Sequence, residues 1–207
     1  VVIDENYPAL PKGTTAAAGA LVGETVYVAG GDSGDGATKN FWALDLAKRG
    51  AADFGWVTLP PWDGPARTHL LASVQHDGAT DCLYIFSGRM KDGDGHWRML
   101  GDAHKFNPKS GEWKKIHDIL PSGDGQPRCV MAGTVAPIGA NQLLVFGGAN
   151  GKRFITLTGL AKQIAAADSA GNTAGAATLK AEQQKIQDTH IGFSRDVLLY
   201  NTVTDRW

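Results

Sequence analysis

Four arginines stand where the sequence punctuates itself. Arg67 closes Gly64-Pro65-Ala66-Arg67, and Arg128 closes Gly125-Gln126-Pro127-Arg128. Arg89 and Arg153 each follow a glycine-ended apolar run, and Asn150 lies close to Arg153. A guanidinium is planar and charged and gives a carboxylate two parallel hydrogen bonds, so this set is equipped to hold an organic acid. Arg67, Arg89, Arg128, Asn150 and Arg153 are therefore the candidate binding residues. Arg67 and Arg128 also have a plainer reading, in which they bond loop carbonyls between repeating units. Asp102 and His104 lie two apart on one strand face. They form a pair able to move a proton, or else polar strand residues satisfied by their neighbours. Asp32, Asp35, Asp92 and Asp94 sit in Gly-rich loops, where turn formation accounts for them, because the EF-hand spacing and its terminal Glu are missing. His69, His76, His96, His117 and His190 show no metal-ligand spacing, so neither a metal site nor a cofactor is expected. Cys82 and Cys129 are too few for a disulfide framework and are expected to pack as small apolar side chains.

The elements that position these groups follow from composition and periodicity. The chain has 207 residues, 43% of them hydrophobic, the balance of a globular chain. No run approaches the ~20 apolar residues of a membrane span. Twenty Lys and Arg against 21 Asp and Glu leave a net charge of −1, so no basic field exists for nucleic acid. Glycine is abundant, at 27, beside 9 Pro and 6 Trp, which points to many short strands and tight turns.

Those strands repeat. Val26-Tyr27-Val28-Ala29-Gly30-Gly31, Leu83-Tyr84-Ile85-Phe86-Ser87-Gly88 and Leu143-Leu144-Val145-Phe146-Gly147-Gly148 are apolar runs that stop at glycine. Gly88 lies 57 residues after Gly31, and Gly148 lies 60 after Gly88. Each glycine is followed by a polar loop and a second run: Phe41-Trp42-Ala43-Leu44, Ala103-His104-Lys105-Phe106 and Val197-Leu198-Leu199-Tyr200. The second and third of these continue through a turn to Trp113 and Trp207, and the first reaches Trp56 by a longer loop. The tryptophan spacing then breaks, with 57 residues from Trp56 to Trp113 but 94 from Trp113 to Trp207. The excess falls between Gly151 and about His190. Leu157, Leu160, Ala161, Ile164 and Ala165 have helical spacing over 156–167, and a more polar helix is expected over 176–188, joined by Ser169-Ala170-Gly171-Asn172.

Strand, Gly-Gly, aromatic strand, turn and Trp together resemble the kelch repeat, whose units form four-stranded blades of a β-propeller. The implied fold is all-β, a kelch-type β-propeller with about three four-stranded blades of an expected six. The blades lie near 13–60, 67–118 and 128–207, with a helical insertion at about 152–190 in the third. Within that class, Asp102-Ala103-His104-Lys105-Phe106-Asn107-Pro108-Lys109-Ser110-Gly111-Glu112-Trp113 resembles the second blade of the N-acetylneuraminate epimerase (sialic acid mutarotase) family. So do the Gly64-Pro65-Ala66-Arg67 lead-in and Phe146-Gly147-Gly148-Ala149-Asn150 followed by a helical insertion. The resemblance implies interconversion of the α and β anomers of N-acetylneuraminate. It implies a sugar acid at the propeller's central mouth and a periplasmic or cell-surface setting. It also implies an acid–base Glu and Arg in a blade beyond Trp207, and a partner that is the remainder of the propeller or another chain. The competing expectation is a non-catalytic kelch module that binds protein or glycan. A sialidase would repeat an Asp-box that Ser33-Gly34-Asp35-Gly36-Ala37-Thr38 only approaches, and a kelch oxidase would need a His and Tyr copper cluster.

Overall fold

The computed structural model describes residues 6–121, 125–190 and 192–207. It contains three antiparallel sheets. The first runs β1 (Ala18–Val22), β2 (Thr25–Ala29), β3 (Phe41–Asp45) and β4 (Val57–Thr58), in that order. The second runs β5 (Leu71–His76), β6 (Asp81–Lys91), β7 (Trp97–Asn107) and β8 (Glu112–Ile116). The third has three strands in the order β11 (Val197–Asn201), β10 (Gln142–Phe146), β9 (Thr134–Ile138). Strand β5 lies against both β1 and β9, so the first strand of each sheet is innermost and the sheets fan out from a common axis. This is the blade arrangement of a kelch-type propeller, open at both ends.

The glycine at the end of each second strand has a steric cause. Gly88 has φ +118°, and a Cβ there would stand 2.8 Å from the Thr68 carbonyl. Gly148 has φ +74°, and a Cβ would meet the Val130 carbonyl at 2.4 Å. The lead-in to each blade's innermost strand crosses directly over that glycine, leaving no room for a side chain.

Packing between blades explains the sequence of β6. Sandwiched between two sheets, it is buried from Cys82 through Gly88 instead of alternating. Leu83 and Ile85, with Phe106 of β7, face Tyr27 and Phe41 of the first sheet, while Cys82, Tyr84 and Phe86 face Leu143, Val145 and Tyr200 of the third. Burying each large side chain contributes about 1.5–3 kcal/mol, so these two layers dominate the fold's stability. The repeated tryptophans latch the chain. Trp56 Nε1 donates to the Pro8 carbonyl (3.0 Å), Trp113 Nε1 to Pro60 (3.1 Å) and Trp207 Nε1 to His117 (3.1 Å).

A second repeated device surrounds the axis. Ala16, His69 and Ala132 each stand two residues before an innermost strand, and all three have positive φ, at 52°, 55° and 54°. The His69 N–H donates to the Ala16 carbonyl (2.8 Å), and the Ala132 N–H donates to the His69 carbonyl (2.9 Å). Main-chain hydrogen bonds thus link consecutive blades at one end of the central channel.

Two helices, α1 (Lys152–Ser169) and α2 (Thr173–Asp188), interrupt the third sheet between β10 and β11. Each starts three or four residues earlier than the apolar spacing indicated, because local capping sets the start. Gly151 adopts a left-handed conformation and Asn150 Oδ1 accepts from the Lys152 N–H, while Asn172 Oδ1 accepts from the Gly175 N–H. Among the described residues, no helix is long and apolar enough to cross a membrane.

Candidate functional site

Arg67 sits in the interior. It is 0% exposed, and Nη1 donates to the Ser87 carbonyl (3.0 Å), Nε to the Pro65 carbonyl (3.4 Å) and Nη2 to Asp102. Its guanidinium also lies 5.5 Å from the Trp62 ring centroid. Ser87 has φ 58° and sits where β6 breaks register with β7, between Phe86 and Gly88, so the arginine anchors a strained bulge within β6. Asp102 in turn bonds His104 Nε2 at 2.9 Å, and His104 is buried beneath Gly64. Burial alone would raise the Asp102 pKa. The hydrogen bond from His104 and the charge of Arg67 outweigh it and hold the carboxyl well below the usual carboxylate range. The pair legible in the sequence is thus closed into a structural knot in which Asp102 Oδ2 takes both bonds, while Oδ1 is buried without a partner.

Arg89 is placed differently. Its backbone pairs with Thr68 beside the axis, with Arg89 N–H donating to Thr68 (3.0 Å) and Thr68 N–H to Arg89 (2.9 Å). The guanidinium lies against two rings that meet edge-on, 3.9 Å from the Phe154 centroid and 5.0 Å from that of Trp97. Nη2 lies 3.4 Å from His69 Nε2. No carboxylate among the described residues pairs with it, and Nε is buried without a partner. Burial pulls its pKa down.

Arg128, Asn150 and Arg153 meet elsewhere, in a cavity of about 850 Å³ beneath the helical insertion. Its floor is the β10 exit around Phe146 and Gly148, and its walls include Phe154 of α1 and Ser194 and Asp196 ahead of β11. Arg128 Nη1 donates to Asp196, and this bond, helped by Ser194, holds the Asp196 carboxyl below its ordinary range. Arg153 Nη2 donates to the Gln187 carbonyl (3.1 Å), tying α1 to α2. Phe154 is the shared wall: one part of it lines the cavity and its ring covers Arg89. The five predicted residues therefore fall into a buried brace (Arg67), an axial cation (Arg89) and a cavity group (Arg128, Asn150, Arg153).

The sequence pointed to neither His69 nor the rings that hold Arg89. The signal for His69 is its place two residues before a strand, equivalent to Ala16 and Ala132, which becomes visible only through the shared backbone conformation. Asp92, Asp94 and His96 come within 4.8 Å of one another at the tip of the β6–β7 hairpin. Asp92 Oδ1 already accepts from the N–H groups of Asp94 and His96, and Oδ2 from Arg98, which is the chemistry of a closed turn. Cys82 and Cys129 are free and buried, and burial pushes the Cys82 thiol up to about 12, which leaves it an unreactive apolar filler.

Comparison with known proteins places this geometry. The family model for N-acetylneuraminate epimerase matches residues 7–207. N-acetylneuraminate epimerase of Haemophilus influenzae (strain PittEE) is 31% identical over 146 residues, covering 70% of this chain and 34% of that protein. Those of Pasteurella multocida (strain Pm70) and Escherichia coli (strain K12) are 30% and 31% identical over 145 and 143 residues. The solved structure of YjhT superposes with a TM-score of 0.69 at 21% identity, covering 98% of this chain and 53% of that one. The chain thus spans about a third of the length of the curated relatives it matches and about half of the YjhT chain. With a family match across residues 7–207, the chain belongs to the N-acetylneuraminate epimerase family.

Proposed function

We propose that this chain is about half of the propeller of a sialic acid mutarotase, which interconverts the α and β anomers of N-acetylneuraminate. The observation that carries the reading is the family match across residues 7–207. Mutarotation opens a hemiketal and recloses it on the other face. That requires one group to take the anomeric hydroxyl proton and another to protonate the ring oxygen. The anomeric carbon also bears a carboxylate, which a guanidinium is suited to hold. In this reading Arg89 is the substrate-contacting arginine of the chain. Arg128, Asn150 and Arg153 shape the neighbouring cavity, and Arg67 braces the blade without touching substrate. The proton-transfer residues are expected in the blade that follows, and the setting is periplasmic or cell-surface. Exchange NMR on equilibrated N-acetylneuraminate tests the reading, which predicts faster interchange of the two anomers' signals with protein than in buffer.

One observation favours a second reading, a glycan-binding kelch module without catalysis. The Asp102–His104 pair is enclosed under Arg67 and Gly64, so the groups this chain offers to a ligand bind rather than transfer protons. Binding of N-acetylneuraminate with no gain in exchange rate distinguishes it.

A further inference from the structure

We propose that Arg89 and His69 form a carboxylate-binding pair at the axial mouth, with Arg89 the contact and His69 its positioning residue. The inference deepens the reading above and rests on it for the identity of the acid, a sugar acid.

The first argument is charge. A partly buried cation is normally paired, because taking it from water is costly. Arg67 and Arg128 obey this rule, with Asp102 and Asp196 as their partners. Arg89 does not: its neighbours are two aromatic rings and an imidazole, and no carboxylate among the described residues pairs with it. Its buried Nε–H has no acceptor. Such a group is complete only when an anion arrives.

The second argument is orientation. Guanidinium groups only donate, so the His69 Nε2 facing Arg89 at 3.4 Å is the acceptor nitrogen. The ring proton is then on Nδ1 and is donated to Thr68 Oγ1 at 2.9 Å. His69 is thereby a neutral imidazole in a fixed tautomer, and burial together with the charge of Arg89 disfavours its protonation. The acid that acts on it through space is Asp32 of the preceding blade, whose Oδ1 is occupied by the N–H groups of Gly34 and Gly36. With Trp97 and Phe154 fixing the plane and His69 taking one Nη2 hydrogen, the guanidinium keeps donors for a carboxylate.

The third argument is place. His69 is the one functional side chain at the three equivalent positive-φ positions around the axis; the other two carry Ala16 and Ala132. The conformation itself belongs to the blade repeat, so what sets His69 apart is an imidazole placed at the axis where the other two positions carry only a methyl group.

The test is made on the full protein, labelled with ¹⁵N, using acetate, N-acetylneuraminate and the methyl ester of N-acetylneuraminate. Acetate and the free acid are expected to shift the Arg89 Nε–H resonance, identified by its loss in Arg89→Gln, and the neutral ester is not. The acid should bind about tenfold or more tighter than the ester. Arg89→Gln should erase that preference by weakening the acid far more than the ester. His69→Asn keeps a residue that tolerates positive φ. It should lower the preference severalfold and broaden the Arg89 signal without weakening the ester, whereas a merely structural role would weaken both ligands alike. If acetate moves the resonance but N-acetylneuraminate does not bind, the site stands and the sugar-acid reading fails. An unmoved resonance under acetate, or an acid-to-ester ratio unchanged in Arg89→Gln, overturns the proposal. Should Arg89→Gln fail to fold, Arg89→Lys, which keeps the charge but lacks the guanidinium Nε–H, identifies the resonance, and the acetate titration of the native protein decides.

Discussion

At the scale of the residue, the same side chain does opposite work within one blade. Arg67 is consumed by the protein itself, and removing its counter-ion exposes that dependence. Asp102→Asn leaves a buried guanidinium without its charge partner and is expected to cost about 3–5 kcal/mol, read as a lower denaturation midpoint at unchanged slope. The pH dependence has a definite sign. Because the folded Asp102 pKa lies below its ordinary value of 3.8, the carboxylate contributes stability that is fully present above that value. The contribution is lost as pH falls through the lower folded pKa, so wild type and Asp102→Asn should converge in stability toward strongly acid pH. A gap that stays constant from neutral to acid pH contradicts this. Arg67 and Arg128 stood out by their places in the repeat, and Arg89 and Arg153 by following the glycine-ended strands, but their roles were not legible. Arg67 meets an acid 35 positions away, and Arg89 is defined by Phe154 from an inserted helix.

At the scale of the element, the fold was written in spacing. The glycine-ended strands and the tryptophans mark blades because a carbonyl crosses one and an indole N–H latches the other. Gly148→Ala places a Cβ against the Val130 carbonyl at a positive φ, so it should destabilise by about 1–3 kcal/mol or more, measured by chemical denaturation. The helical insertion was legible as a break in the repeat, although its boundaries came from capping residues that apolar periodicity does not report. Only Leu160, Ile164 and Ala176 are buried along the two helices. Amide exchange in α1 and α2 should therefore be faster than in β6, and Leu160→Ala should speed it further while leaving β6 protected. Equal protection in both regions would contradict the insertion's being held by so small a core.

At the scale of the whole molecule, the sheets face both ways and the third has one covered side. Leu143, Val145 and Tyr200 pack on the second sheet, while Phe146, Val197 and Leu199 point away, with Val197 60% exposed. An apolar sheet face of that kind promotes association, so the 207-residue chain should show concentration-dependent sedimentation that Leu199→Lys reduces. The reaction itself is tested by following N-acetylneuraminate freshly released as one anomer by proton NMR until equilibrium, with the full protein and with buffer alone. The account predicts faster equilibration with protein, slowed in Arg89→Gln. Equilibration at the buffer rate by a folded, ligand-binding protein would contradict it.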